Sequence, residues 1–210
     1  MTTATKKKSP WPDLQAGTED GRRQRSDRSR RRIIEAMFDL IGEGNMSPSA
    51  ANVAERANVG LRTVFRHFED MDSIYDEMTA ELTDAIMPKI LAPFISTTWR
   101  ERLMESIEKR AELYEMVYPM KVCMGLRRFQ SDFLGAQYAR DTALMRSTLR
   151  TILPKQIIAD RDLFGAIEAA LDFSTWRQLR SDQKRSAESA KASIRLTING
   201  LIANVDAPEA

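Results

Sequence analysis

Apolar residues recur along this chain at intervals of three and four positions and hardly ever alternate. That period predicts amphipathic helices and no strands. Ile33, Ile34, Met37, Phe38 and Ile41 form one stripe, which Gly42 and Gly44 close and which Ser26 or Asp27 can cap. A second helix is expected to open at Ser47 or Ser49, with Pro48 suited to its first position and Ala50, Val53, Ala54 and Ala57 on its inner side. Those small residues let another helix cross closely. Asn58-Val59-Gly60 then reads as a tight turn, with Asn58 able to adopt a left-handed conformation and Val59 filling the angle. A third, short helix runs from Leu61 to Phe68 with Val64 and Phe68 facing inward.

Beyond Asp72 the stripes lengthen. Ile74, Met78, Leu82 and Ile86 predict a helix of about fifteen residues, ended by Pro88. Trp99, Leu103, Ile107, Ala111, Tyr114 and Val117 mark another, closed by Pro119. Two more are expected at roughly 120–133 and 135–153, the latter stopped by Pro154. Two long helices finish the chain. One carries Leu163, Ile167, Ala170, Leu171, Ser174, Trp176 and Leu179; the other carries Ala187, Ala190, Ile194, Ile198 and Leu201, with Ser186 as its cap.

Composition narrows the chemistry. An apolar share of 42% over 210 residues is enough for a substantial core. One cysteine, Cys123, and one histidine, His67, leave almost no raw material for disulfides, zinc sites or Cys/His nucleophile pairs. No nucleotide loop or paired-carboxylate site stands out, so no catalytic residue, metal or cofactor is expected. No signal-peptide pattern or membrane span is read, and the expected location is cytoplasmic. The net charge of +2 hides an asymmetry: residues 1–32 carry ten Lys or Arg against four Asp or Glu, which leaves −4 for the rest. Residues 1–26 are expected to form a disordered basic tail.

A basic arm ahead of a close-crossing helix pair is the layout of a nucleic-acid reader. The third helix would lie in the major groove of double-stranded DNA. Arg62, Thr63 and Arg66 project opposite Val64 and Phe68. Arg62 is expected at base edges, Thr63 and Phe65 at backbone or thymine methyls, and Arg66 and His67 at phosphates. Gly60 and Leu61 at the helix start, Ser47 and Ser49 at the second helix, and Arg28 and Arg31 on the arm complete the DNA-binding set. Arg56 is read as solvating its own helix.

These residues resemble the TetR family of transcriptional regulators. The likeness covers Arg31 to Ile74 and rests on Ile33-Ile34-Glu35-Ala36-Met37-Phe38, Val53-Ala54, Ala57-Asn58-Val59, Thr63-Val64-Phe65 and His67-Phe68. The phrase Trp176-Arg177-Gln178-Leu179-Arg180-Ser181-Asp182-Gln183 also resembles that of many members. The resemblance implies an all-α homodimer with an N-terminal three-helix helix-turn-helix DNA-binding domain at 27–71. A helical-bundle ligand-binding and dimerisation domain at 72–210 would follow. This chain departs from the family pattern at Phe65, where tyrosine is common, and at Met71, where a lysine is usual. Arg62 replaces a small residue, and Gly60 replaces a capping serine.

For the second domain, Met104, Met116, Met120 and Met124 cluster around Cys123, Tyr114 and Tyr118, and thioethers repack readily around apolar ligands. Trp99, Phe129, Phe133, Tyr138 and Trp176 are further lining candidates for a small apolar ligand. Leu163, Ile167, Ala170, Leu171, Ile194, Ile198 and Leu201 are expected to form the homodimer interface. The function expected is a repressor released from a palindromic operator when ligand binds. Alternatives are an activator or a regulator controlled by a protein partner, and, from another class, a small helical enzyme or carrier.

Overall fold

The computed structural model describes residues 21–207, and within them every regular element is helical. Ten α-helices follow in order: α1 Gly21–Gly42, α2 Ala50–Ala57, α3 Leu61–His67, α4 Met71–Ile90, α5 Trp99–Arg127, α6 Asp132–Ile152, α7 Lys155–Ala159, α8 Arg161–Ala170, α9 Phe173–Arg177 and α10 Ala187–Ile202. A π-turn over Gln178–Asp182 extends α9. The all-helical class read from the apolar period is the class observed. Residues 1–20 of the expected basic tail lie outside the described residues. Residues 21–26 are helical, because Arg22, Arg23 and Arg25 favour helix and no breaker separates them from Ser26.

Compact packing divides the chain into two units that are discontinuous in sequence: Met1–Ala85 with Tyr118–Tyr138, and Ile86–Val117 with Ala139–Ala210. The division does not fall at 71/72; it passes through α4, α5 and α6.

In the first unit, the inward faces follow the predicted stripes. Ile33, Ile34, Met37 and Ile41 of α1 are fully buried, with Val53, Ala54 and Ala57 of α2 and Val64 and Phe68 of the α3 segment. Burial of side chains this size stabilises a fold by roughly 1.5–3 kcal/mol each. Ala50 and Val59 are only half-buried. Pro48 precedes α2 instead of opening it, since the cap is Ser49.

Two proline expectations fail. α5 runs through Pro119 and α4 through Pro88. An interior proline costs about 3 kcal/mol by removing a hydrogen bond and crowding the previous turn. Leu113, Tyr114 and Val117 are buried before Pro119, and Met120, Cys123 and Met124 after it. Apolar anchors on both sides outweigh one break. Conversely, the single long helix expected around Leu163–Leu179 is split. Leu171 leaves helical geometry, and Asp172 adopts an extended conformation and caps α9 through Ser174 N–H at 2.8 Å.

In the second unit, α8 packs against α7 and α10. The Trp176 indole donates to Glu115 at 2.9 Å, and Arg180 donates to both oxygens of that carboxylate at 2.8 and 3.0 Å. The phrase from Trp176 to Gln183 thus ties the π-turn to α5.

Candidate nucleic-acid interface

The turn between α2 and α3 is set by three local devices. Ser49 caps α2 by accepting the Asn52 N–H, while the Asn52 side chain accepts the Ser49 N–H. This reciprocal cap satisfies two backbone donors that water would otherwise have to meet. Asn58 ends α2 with φ 50° and ψ 54°, and its N–H and that of Val59 reach back to the last turn. Gly60, with φ −70°, precedes α3 without a side-chain cap.

Side chains then lock the turn to α1 and α4. Arg30 donates to the His67 carbonyl at 2.7 Å, pairs with Glu77 and lies 4.4 Å over the Phe68 ring. Arg32 donates to the Asn58 carbonyl at 3.2 Å. Neither was in the predicted DNA-binding set; the arginine run looked like an arm, and the i, i+2 offset from Arg30 to Arg32 did not reveal a clamp. Arg56, read as solvating its own helix, pairs instead with Glu43 just beyond α1.

What this scaffold displays is the outer face of α3. Leu61 and Phe65 are exposed, Phe65 by 52%, and so are Arg62 and Arg66. Each pair stands four residues apart, so the four side chains share one surface. Among the described residues Arg28, Arg62 and Arg66 have no carboxylate partner. Two apolar groups flanked by unpaired guanidiniums suit a surface carrying both methyl groups and phosphates.

Other residues of the predicted set stand differently. Thr63 is half-buried and Gly60 is exposed at the helix start. The Ser49 hydroxyl is engaged in the α2 cap, and the Ser47 hydroxyl accepts from Arg127 at 2.7 Å. Arg28 is exposed on α1, while half-buried Arg31 faces the Glu81 carboxylate. His67 is poorly placed for a phosphate. Its Nε2 is buried without a hydrogen-bond partner, and burial, then Arg66 and Arg30, hold it below the usual imidazole range.

The eleven residues expected to line a ligand pocket are divided between the two units. Tyr118, Met120, Cys123, Met124, Phe129, Phe133 and Tyr138 belong to the first unit, and Trp99, Tyr114, Met116 and Trp176 to the second. Met120, Cys123 and Met124 are packed core, with the Cys123 sulfur 3.5 Å from the Tyr75 hydroxyl. Phe129 is 81% exposed beneath Arg128. Met116, Tyr118, Phe133 and Tyr138 are half-buried. In the second unit Trp99 and Trp176 are core, and the Tyr114 hydroxyl donates to the Leu171 carbonyl at 2.9 Å. Periodicity identified these side chains as inward-facing but could not distinguish a packed interior from a cavity wall.

The second unit does enclose a small cavity, elsewhere. It measures about 40 Å³ and is walled by Lys89 and Ile90 at the end of α4, by Phe94 beyond it, by α5 residues Ser106, Lys109, Arg110 and Leu113, and by α6 residues Met145, Thr148, Leu149 and Ile152. Three of its eleven lining residues are cationic and none is acidic. Six of the eleven are apolar, so the lining suits a molecule with a hydrocarbon part beside an anionic group.

The predicted dimer residues also need correction. Ile167, Ala170, Leu171, Ile194 and Ile198 are buried within the protomer itself, and Leu163 and Leu201 are half-buried. The α8–α10 pairing uses that apolar face internally. On α10 the exposed large apolar side chain is Leu196, beside exposed Ala192 and Gly200.

Among the described residues no helix is long and apolar enough to cross a membrane, and no cluster of His, Cys, Asp or Glu could hold a metal. No family model matches the chain, and no curated relative does. Solved structures do. A transcriptional regulator from Rhodococcus sp. Rha1 superposes with a TM-score of 0.64 over 87% of this chain and 98% of its own, at 15% identity. A TetR transcriptional regulator from Rhodococcus sp. RHA1 is matched over 85% of this chain and 99% of its own, with a TM-score of 0.46 and 16% identity. At that identity the likeness is one of fold: this chain has the fold of the first of these Rhodococcus regulators.

Proposed function

We propose that this protein is a DNA-binding transcriptional regulator that acts as a homodimer, most simply as a repressor whose grip on a palindromic operator is changed by a small ligand. One observation carries the reading: α3 is held by Arg30, Arg32 and the Asn58 turn while it offers solvent Leu61, Arg62, Phe65 and Arg66, both arginines without a carboxylate partner among the described residues. A structural helix would bury Phe65 and pair those charges. The shared fold with a transcriptional regulator supports the same reading.

One recognition helix reads only a few base pairs, so a second copy supplies both affinity and the two-fold symmetry of the operator. Control requires a ligand that binds two states with different affinity. α4 is the element through which such a difference would act, because it runs unbroken from the reader into the second unit.

The test is binding of the purified protein to labelled DNA from the region flanking its own gene, across a salt series. Saturable binding that survives non-specific competitor is expected, with log K falling in log salt by about 0.9 per neutralised phosphate. Weak, sequence-indifferent binding there and in a selection from random DNA would refute the reading.

A further inference from the structure

The small cavity of the second unit has an unbalanced charge. Arg110 is only 7% exposed, yet its hydrogen bonds go to two backbone carbonyls, Leu171 at 3.3 Å and Met145 at 2.7 Å. Carbonyls satisfy donors but bring no negative charge. A buried cation without a counter-ion is costly, and an anion that enters beside it recovers much of that cost. The adjacent Lys109 amine donates to the carbonyls of Ala92 and Pro93 at 2.6 and 3.1 Å. Glu105, one turn earlier on α5, influences Lys109 electrostatically, but its carboxylate accepts the Ile95 and Ser96 N–H groups and does not line the cavity. Lys89 stands exposed at the rim.

Size and lining narrow the occupant. About 40 Å³ holds roughly three waters, the scale of a carboxylate with a short tail. A planar guanidinium fork matches a carboxylate in two parallel hydrogen bonds. Leu113, Leu149 and Ile152 add hydrocarbon to the same lining. The larger groove between α5 and α10, about 620 Å³, has no such bias, since Glu108 already pairs with Lys191 and Arg195 there.

We propose that this cavity binds a small monoanionic carboxylic acid, its carboxylate on Arg110 and its short hydrocarbon tail against Leu113, Leu149 and Ile152. Under the regulator reading, on which only this consequence rests, such an acid is the signal; the site itself stands on the cavity.

Calorimetric titration of the full chain with butyrate, butyramide and phosphate at constant ionic strength tests it. Butyrate is expected to saturate a single site, with butyramide and phosphate at least tenfold weaker. Arg110→Met should abolish butyrate binding. Because Arg110 also braces two backbone carbonyls, Lys109→Met serves as the second variant, with at least fivefold weaker binding and an unchanged circular-dichroism spectrum. Butyramide binding as well as butyrate, phosphate competing equally, or both variants binding normally would overturn the proposal. Absence of butyrate binding by the unsubstituted chain, when that chain still reads DNA, overturns the site alone. Butyrate binding in a chain that reads no DNA overturns the regulator alone.

Discussion

Arg30 on α1 donates to the backbone carbonyl of His67, the last residue of α3, at 2.7 Å. The same guanidinium meets the Glu77 carboxylate and the Phe68 ring, so one side chain ties α1, α3 and α4 together. It divides the arginine-rich segment into two kinds of residue: those spent on holding the reader and those still available to a ligand.

That division predicts different behaviour for chemically identical substitutions. Arg62→Ala should weaken binding to the preferred DNA by about 1–3 kcal/mol and other DNA by less, while leaving thermal stability nearly unchanged. Arg30→Ala should lower the melting temperature and weaken all DNA alike, because it removes a hydrogen bond and an ion pair that position α3. Fluorescence anisotropy on matched and scrambled duplexes, beside a melting curve, separates the two. Equal loss on both duplexes for Arg62→Ala would make it a phosphate contact.

Gly60 offers a gain of stability. Its φ of −70° is ordinary for any residue, and an added Cβ would meet only the Thr63 hydroxyl at 3.9 Å. Gly60→Ser should stabilise the fold by a few tenths of a kcal/mol by capping α3, measurable as a higher denaturant midpoint.

Glu81 gives a pH signature. One carboxylate oxygen is buried without a hydrogen bond, and burial, then the neighbouring Glu77, raise its pKa. A raised carboxyl pKa means the ionised form destabilises the fold, so stability is lost as pH rises from the unfolded value through the folded one. Glu81→Gln is expected to raise the melting temperature at pH 7 and to leave it unchanged in acid below the unfolded carboxyl pKa. A melting temperature lowered at pH 7 would show that the charge is needed opposite Arg31.

Glu115 should behave in the opposite sense. Its hydrogen bonds from Arg180 outweigh burial and, with that from Trp176, hold the carboxyl below its usual range. The stability it contributes is present above the unfolded pKa and lost as pH falls through the folded one. Glu115→Gln should cost about 1 kcal/mol at pH 7, the partial exposure of the pair keeping the loss small. It should also flatten the acid limb of a stability–pH curve.

For the proposed homodimer, Leu196 and Ile198 stand two residues apart on α10 and face opposite ways: Leu196 is 76% exposed and Ile198 is fully buried. Leu196→Asp is expected to yield folded monomers in sedimentation analysis and to lose specific DNA binding. Ile198→Asp should unfold the protomer itself, because it places a charge in a packed core. A dimer undisturbed by Leu196→Asp would place the interface off this face of α10.

The sequence alone determined the helices of the reader, since each is encoded by neighbours: the Ser49 cap, the left-handed Asn58 and the Val64 and Phe68 positions are all local in origin. It also determined the outward Arg62 and Arg66, because a 3.6-residue period places opposite faces without reference to anything distant. Only the tertiary structure decided what the inward side chains and the charges do. Pro119 stays helical because buried residues flank it. Arg30 is a clamp because Glu77 and the His67 carbonyl lie within reach, partners 47 and 37 residues away. The methionines around Cys123 close up into core, while a cavity forms around Arg110. An apolar stripe states that a face is covered; what covers it, and whether any space remains, depends on segments far along the chain.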